Sequence, residues 1–222
     1  MTDATISADP TLDELRVALI ADIATNAAFD GWTDRAIAVA AAQHAIDADV
    51  ARLAFPGGAA DMIDAWFAHV DAEMARRLPP TTLAAMKIRA RITALVETRL
   101  AIVAPDREAL RRALAILAMP RNVRHAARLT WRAADAMWRL AGDTATDLNH
   151  YTKRMTLGGV YASTIAVFIN DDSADHTDTL AFLGRRIDGI MQFEKVKAGW
   201  KNRGANGLSL SRFVGRLRYP NT

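Results

Sequence analysis

"LRVALIADIATNAAFDGWTDRAIAVAAAQHAIDADVARLAFPGGAADMIDAWFAHV", residues 15–70, contains three short apolar-periodic runs divided by residues that stop and start helices, and its reading decides the fold. Just upstream, "ADPTLDEL" offers Asp9 as an N-cap with Pro10 in the first turn, and Leu12, Leu15, Leu19 and Ile23 then recur at helical spacing as one stripe. Gly31 ends that helix. Thr33 caps a second, running to about residue 42, and Asp47 caps a third, which stops at "FPGG", 55–58. Three short helices in this order have the lengths and spacing of a helix-turn-helix unit.

Outward from this module the helical period continues without any alternating strand pattern. A longer helix over about 59–78 must end at Pro79-Pro80, where an absent amide donor and the pre-proline restriction both oppose continuation. The spacing predicts further helices over about 81–103, 106–118, 122–141, 146–170 and 175–198. A tail segment over about 206–218 follows the linker "KNRGANG". The expected organisation is a degenerate helix-turn-helix-like module at 1–58, a helical bundle at 59–200, and a linker with a basic amphipathic helix at 201–222. The fold class is therefore all-α, and the order of the first helices resembles the tetracycline-repressor family. About nine helices plus the amphipathic one make up this tetracycline-repressor-like bundle.

The 222 residues include no cysteine, which excludes disulfides, zinc-thiolate and iron-sulfur sites, and suits a reducing compartment. No apolar run approaches the roughly 18 residues a spanning helix needs. The acidic N-terminus is unlike a presequence or secretory leader, and the chain reads as a soluble bacterial protein of the cytoplasm. The net charge of +3 hides a gradient. Residues 1–74 hold Arg16, Arg35 and Arg52 against thirteen acids, a net of −10, whereas residues 185–222 carry +7. An anionic surface is thus met by the C-terminal end. A DNA reader needs cations for phosphates, and the third helix offers Asp47, Asp49 and a single Arg52. No nucleic-acid partner is expected.

Catalytic motifs are also missing: the sequence has no G-x-S-x-G, no P-loop and no G-x-G-x-x-G. No glutamate has a histidine three residues on, as a four-helix di-iron site would require. Asp147 and His150 share a helix face, but two ligands do not make a metal site. No catalytic residue, metal or cofactor is expected, and the chain reads as a non-enzyme.

Two stretches carry the functional reading. "DLNHYTKR", 147–154, opens a helix on which Tyr151, Met155, Gly158, Ala162, Ile165 and Ile169 form one stripe, with Leu157, Tyr161, Thr164 and Phe168 beside it. Gly158 and Gly159 each cost about 1 kcal/mol relative to alanine in a helix. They imply either a tight helix crossing or room for an apolar ligand. In the tail, Leu210, Phe213, Val214 and Leu217 repeat at helical spacing with Arg212 and Arg216 opposite, a pattern that suits an anionic membrane surface or docking on the protein itself.

Over roughly residues 11–195 the chain resembles the Coq-nine family of ubiquinone (coenzyme Q) biosynthesis proteins. The resemblance rests on "VETRLAI" (96–102), "RALAILAMPRNV" (112–123), "MWRLAGDTATDLNHYTKR" (137–154) and "VYASTIAVFINDDSADHTDTLAFLGRRID" (160–188). It implies a homodimer that has lost DNA binding, holds a phospholipid or polyprenyl quinone in its bundle, and assists a demethoxyubiquinone hydroxylase at the membrane. It further implies a partner patch of Met137, Trp138, Asp147, His150 and Tyr151, where animal members carry tryptophan in place of His150. Arg154 matches a headgroup-contacting arginine. Lipid contacts are then expected at Arg154, Tyr151, Met155, Gly158, Gly159, Tyr161 and Ala162, with Tyr151 toward the apolar interior. The expected location is the cytoplasmic face of the bacterial membrane. The competing reading is a ligand-responsive transcription regulator.

Overall fold

Thr11, not Asp9, caps the first helix, α1 (Leu12–Asp30). Its side chain accepts from the Glu14 amide at 3.3 Å while the Glu14 carboxylate accepts from the Thr11 amide at 2.8 Å, a reciprocal capping box. Pro10 therefore precedes the cap. The computed structural model describes residues 10–146 and 148–190, so Asp9, Asp147 and the tail segment 206–218 lie outside the described residues. Leu15, Leu19 and Ile23 are fully buried, whereas Leu12 falls outside the core.

Gly31 ends α1 with φ 72°, the left-handed region that favours glycine. α2 (Asp34–Gln43) starts at Thr33, whose hydroxyl turns back to donate to the Asp30 carbonyl instead of capping. Asp47 caps α3 (Ala48–Leu53) as its sequence predicts, accepting from the amides of Asp49 (2.8 Å) and Val50 (3.2 Å). α4 (Ala59–Arg77) stops short of the proline pair.

The single helix expected over 81–103 is two: α5 (Pro80–Ala84) and α6 (Ile88–Val103). Pro80 opens α5, where no amide donor is needed. Arg91 holds the break, donating to the carbonyls of Met86 (2.9 Å), Ala84 (3.1 Å) and Ala141 (2.7 Å). One guanidinium thus satisfies carbonyls that a continuous helix would pair internally. α7 (Arg107–Leu117), a 3-10 turn (Pro120–Asn122), α8 (Val123–Leu140), α9 (Leu148–Phe168), a second 3-10 turn (Ala174–His176) and α10 (177–190) complete the described chain.

The first three helices pack through α1 against α4 and α7, while α8 and α9 run together as a pair. At the seam the Trp32 and Trp66 rings lie 5.3 Å apart, and the Trp32 indole N–H donates to the Ala109 carbonyl at 3.0 Å. The C-terminus of α9 meets cations from α7: Arg111 donates to the Ile169 carbonyl at 2.5 Å, and Arg107 to the Asp171 carbonyl. No helix among the described residues is long and apolar enough to cross a membrane.

Candidate ligand cavity and docking surface

The opening of α9 inverts the sequence expectation. Tyr151 is 56% exposed and packs sideways on Trp131 and His150, with ring centroids at 6.0 and 5.2 Å. Arg154, expected to be free for a headgroup, is 2% exposed. Its Nε donates to Asp135 at 2.6 Å, and Nη1 donates to Asp143 and to the His150 carbonyl, both at 3.1 Å. Lys153 donates to the other Asp143 oxygen at 2.6 Å. A guanidinium can be buried here because two carboxylates, from α8 and the loop after it, meet it.

The partner-patch residues divide as well. Met137 is wholly buried in the core instead of presenting a surface. The Trp138 indole N–H donates to the Lys153 carbonyl at 3.0 Å, and His150 Nδ1 lies 2.9 Å from the Ala145 carbonyl. Exposed Leu148, Tyr151 and Met155 leave an apolar surface at the start of α9. Among the described residues no group of three or more His, Asp or Glu is placed to hold a metal.

The glycine pair separates into its two readings. A Cβ on Gly158 would sit 3.0 Å from Thr130 Cγ2 and 3.9 Å from Ala134 Cβ, so this glycine permits the close crossing of α8 and α9. A Cβ on Gly159 would meet nothing within 4 Å. Opposite signs are expected on mutation. Gly158→Val should lower unfolding free energy by about 1–3 kcal/mol through overpacking, and Gly159→Ala should raise it by about 1 kcal/mol through helix propensity. Urea titration of the two variants checks this.

The principal cavity lies between α4, α6, α7, α8 and α9, with a volume of ≈ 400 Å³. Leu114, Leu117, Leu129, Ala133, Ile165 and Ile169 make its walls apolar. Exposed Ala118, Ala162 and Ala166 mark its mouth, while Phe67, Arg99 and Tyr161 are its buried side. Of the lipid-contact residues expected from sequence, Tyr161 and Ala162 line it; Tyr151, Arg154, Met155, Gly158 and Gly159 do not. Arg99 was not anticipated. Its signal was present, since it replaces an apolar residue in the buried α6 series Ile92, Leu95, Val96, Leu100 and Val103. A second cavity of ≈ 320 Å³ lies behind the α9 opening, bordered by Ile88, Trp138, Thr152, Lys153, Thr156 and Ile187.

Two carboxylates hold the two ends of α9 in order. Burial would raise the Asp143 carboxyl, but hydrogen bonds from Lys153 and Arg154 outweigh it and hold the group below the usual carboxylate range. Asp171 accepts from the Ser173 hydroxyl (2.5 Å) and amide (2.9 Å) and from the Thr179 hydroxyl (2.5 Å) and amide (2.8 Å), which lowers its pKa strongly. It thereby joins the end of α9 to the start of α10. A depressed carboxyl stabilises the fold fully above the unfolded value of about 3.9, and that stability is lost as pH falls through the folded value. The melting midpoint should thus fall steeply below about pH 4, and Asp171→Asn should flatten part of the fall; a pH series of thermal melts reads both.

The COQ9 family model matches residues 123–194. "Ubiquinone biosynthesis protein COQ9, mitochondrial" of Rattus norvegicus is 44% identical over 96 residues, covering 43% of this chain and 31% of that protein. The Homo sapiens protein of the same name is 42% identical over 96 residues, covering 43% and 30%, and the Drosophila melanogaster one 25% over 189 residues, covering 83% and 58%. The match to the mammalian relatives spans about a third of their length. A TetR transcriptional regulator from Nitrosomonas europaea ATCC 19718 superposes with a TM-score of 0.63 at 22% identity, covering 78% of this chain and 96% of that one. That likeness gives the fold: an all-helical, TetR-like bundle. Over residues 123–194, which contain α8, α9 and α10, the chain is similar to the COQ9 family.

Proposed function

We propose that this chain is a non-catalytic accessory protein of ubiquinone biosynthesis that holds a polyprenyl quinone precursor, or a phospholipid, in its principal cavity. It presents that molecule to a membrane-associated demethoxyubiquinone hydroxylase. The carrying observation is the cavity itself: its size and apolar walls suit an isoprenoid segment, and its mouth opens between α7 and α9. The COQ9 relatives, named for ubiquinone biosynthesis, point to the same pathway. Leu148, His150, Tyr151 and Met155 offer a docking surface for the hydroxylase or a second copy of the chain in a homodimer.

Native mass spectrometry of the purified protein, with extraction of co-purifying lipid, tests the reading. A stoichiometric apolar adduct is expected, and an empty protein after expression in ubiquinone-producing cells would reject it. Membrane contact is assigned to Leu210, Phe213, Val214, Leu217, Arg212 and Arg216, at the cytoplasmic face in a bacterial cell. Phe213→Ser with Leu217→Ser should abolish most co-sedimentation with anionic liposomes, since each large apolar side chain contributes about 1.5–3 kcal/mol on burial.

The fold likeness to a transcription regulator gives a second reading, a ligand-responsive repressor. The paired arginines of the first module weigh against it. Arg16 lies 3.4 Å from Asp61, Arg35 lies 3.0 Å from Asp30, and Arg52 is held by Asp49 and Asp34. Salt-sensitive retention on random DNA would favour the repressor.

A further inference from the structure

The principal cavity is apolar except on one buried side, where Arg99 Nε, Arg99 Nη2 and the Tyr161 hydroxyl lie together and none makes a hydrogen bond of good geometry within the protein. Arg99 is 0% exposed, and Tyr161 is also buried. Arg99 Nη1 is held by Asp71, and the guanidinium carbon lies 4.9 Å from the Tyr161 ring centroid. What stays unpaired is therefore the edge of the guanidinium that carries Nε and Nη2, two parallel N–H donors on one side. Leaving such donors buried without acceptors is costly, and native structures rarely do so without a ligand or water.

Nearby charge constrains the acceptor. Asp71 also lies 3.2 Å from Arg132 Nε, and Arg132 Nη1 donates to Asp64 at 3.1 Å. Arg128, 68% exposed, also approaches Asp64 at 3.5 Å from the solvent side, but beside the cavity the buried Arg99 is already balanced by Asp71. A carboxylate or phosphate brought beside it would add one uncompensated buried charge. An uncharged group with adjacent acceptor oxygens would satisfy the Nε/Nη2 edge and the tyrosine hydroxyl without that cost.

Resting on the proposal that the cavity holds an apolar chain, we infer that the ligand enters head first. An uncharged oxygenated ring, such as a quinone or a methoxyphenol, accepts hydrogen bonds from Arg99 and Tyr161, and its hydrocarbon tail runs out past Ala162 and Ala166. Arg99 and Tyr161 are then specificity determinants that separate ring-headed lipids from hydrocarbons and from fatty acids.

The test is equilibrium dialysis of the full-length protein, stripped of lipid, against three probes with equal chains: a decyl-substituted dimethoxybenzoquinone, decylbenzene and decanoate. The quinone should bind at least tenfold more tightly than either other probe. Arg99→Lys, which keeps the charge beside Asp71 but removes the two-donor edge, should lower quinone affinity about tenfold and leave decylbenzene unchanged. Tyr161→Phe should lower quinone affinity severalfold, and it decides the matter if Arg99→Lys does not fold. Equal binding of quinone and decylbenzene, unaltered in both variants, would overturn the head-first assignment while leaving an apolar cavity in place. Preferential binding of decanoate, weakened in Arg99→Lys, would overturn it in favour of an acid headgroup. Failure of all three probes to bind would remove the cavity reading and this inference together.

Discussion

Arg154→Met should destabilise the fold by about 3–5 kcal/mol, because it leaves buried carboxylates without their shared partner. Asp143 has a side chain only 5% exposed and would retain Lys153, while Asp135 would retain Arg139 alone. The backbone joining α8 to α9 loses its internal tie at the same time. The melting midpoint should drop by on the order of 10 °C for a chain of this size, and the loss should shrink on adding Asp135→Asn and Asp143→Asn, which remove the stranded charges. A Met variant that melts like wild type would show that the network contributes little. The same substitution should lower ubiquinone in cells through loss of folded protein. A headgroup-binding role instead predicts a normal melt and a lipid-free protein.

That expectation reverses what the local sequence implies, and the reason is physical. Hydrophobicity ranks Tyr151 as the inward residue and Arg154 as the outward one, but hydropathy is a property of a residue without its partners. Asp135 lies nineteen positions away from Arg154, and its approach depends on the α8–α9 crossing that Gly158 permits. No local reading contains that pairing. Where the chemistry is local, the sequence is legible: Gly31 and Asp47 end and begin their helices as their cap preferences dictate. The break at 85–87 was hidden because the residue holding it, Arg91, works partly through Ala141, fifty positions away. Arg99 is intermediate: its place in an apolar series is visible along the chain, but the carboxylate that admits it there, Asp71, is on another helix.

Ala166→Trp should empty the principal cavity while sparing the fold. Ala166 is exposed on α9 and lines the mouth, so an indole there can occupy the entrance with its backbone unchanged. Co-purifying apolar ligand should fall at least tenfold, and ubiquinone production in cells relying on this gene should fall with it. The melting midpoint of the lipid-free protein should stay within a few degrees of wild type. Thr156→Trp on the rim of the second cavity is the control, and should leave ligand content unchanged. If Thr156→Trp empties the protein and Ala166→Trp does not, the ligand belongs behind the α9 opening and the assignment of the principal cavity fails.

The tryptophan seam has a consequence for how the molecule stores ligand binding energy. With Trp32 against Trp66 and bonded to Ala109, the first three helices share their core with the bundle, and they have no separate apolar interior to fall back on. Loosening either side exposes the indoles of both, so the two unfold as one cooperative unit. A molecule occupying the cavity at a hundredfold above its dissociation constant would add about 2.7 kcal/mol to that unit as a whole. The first three helices would thus be protected by a ligand they never touch, and protease resistance near the N-terminus would report whether the bundle is loaded.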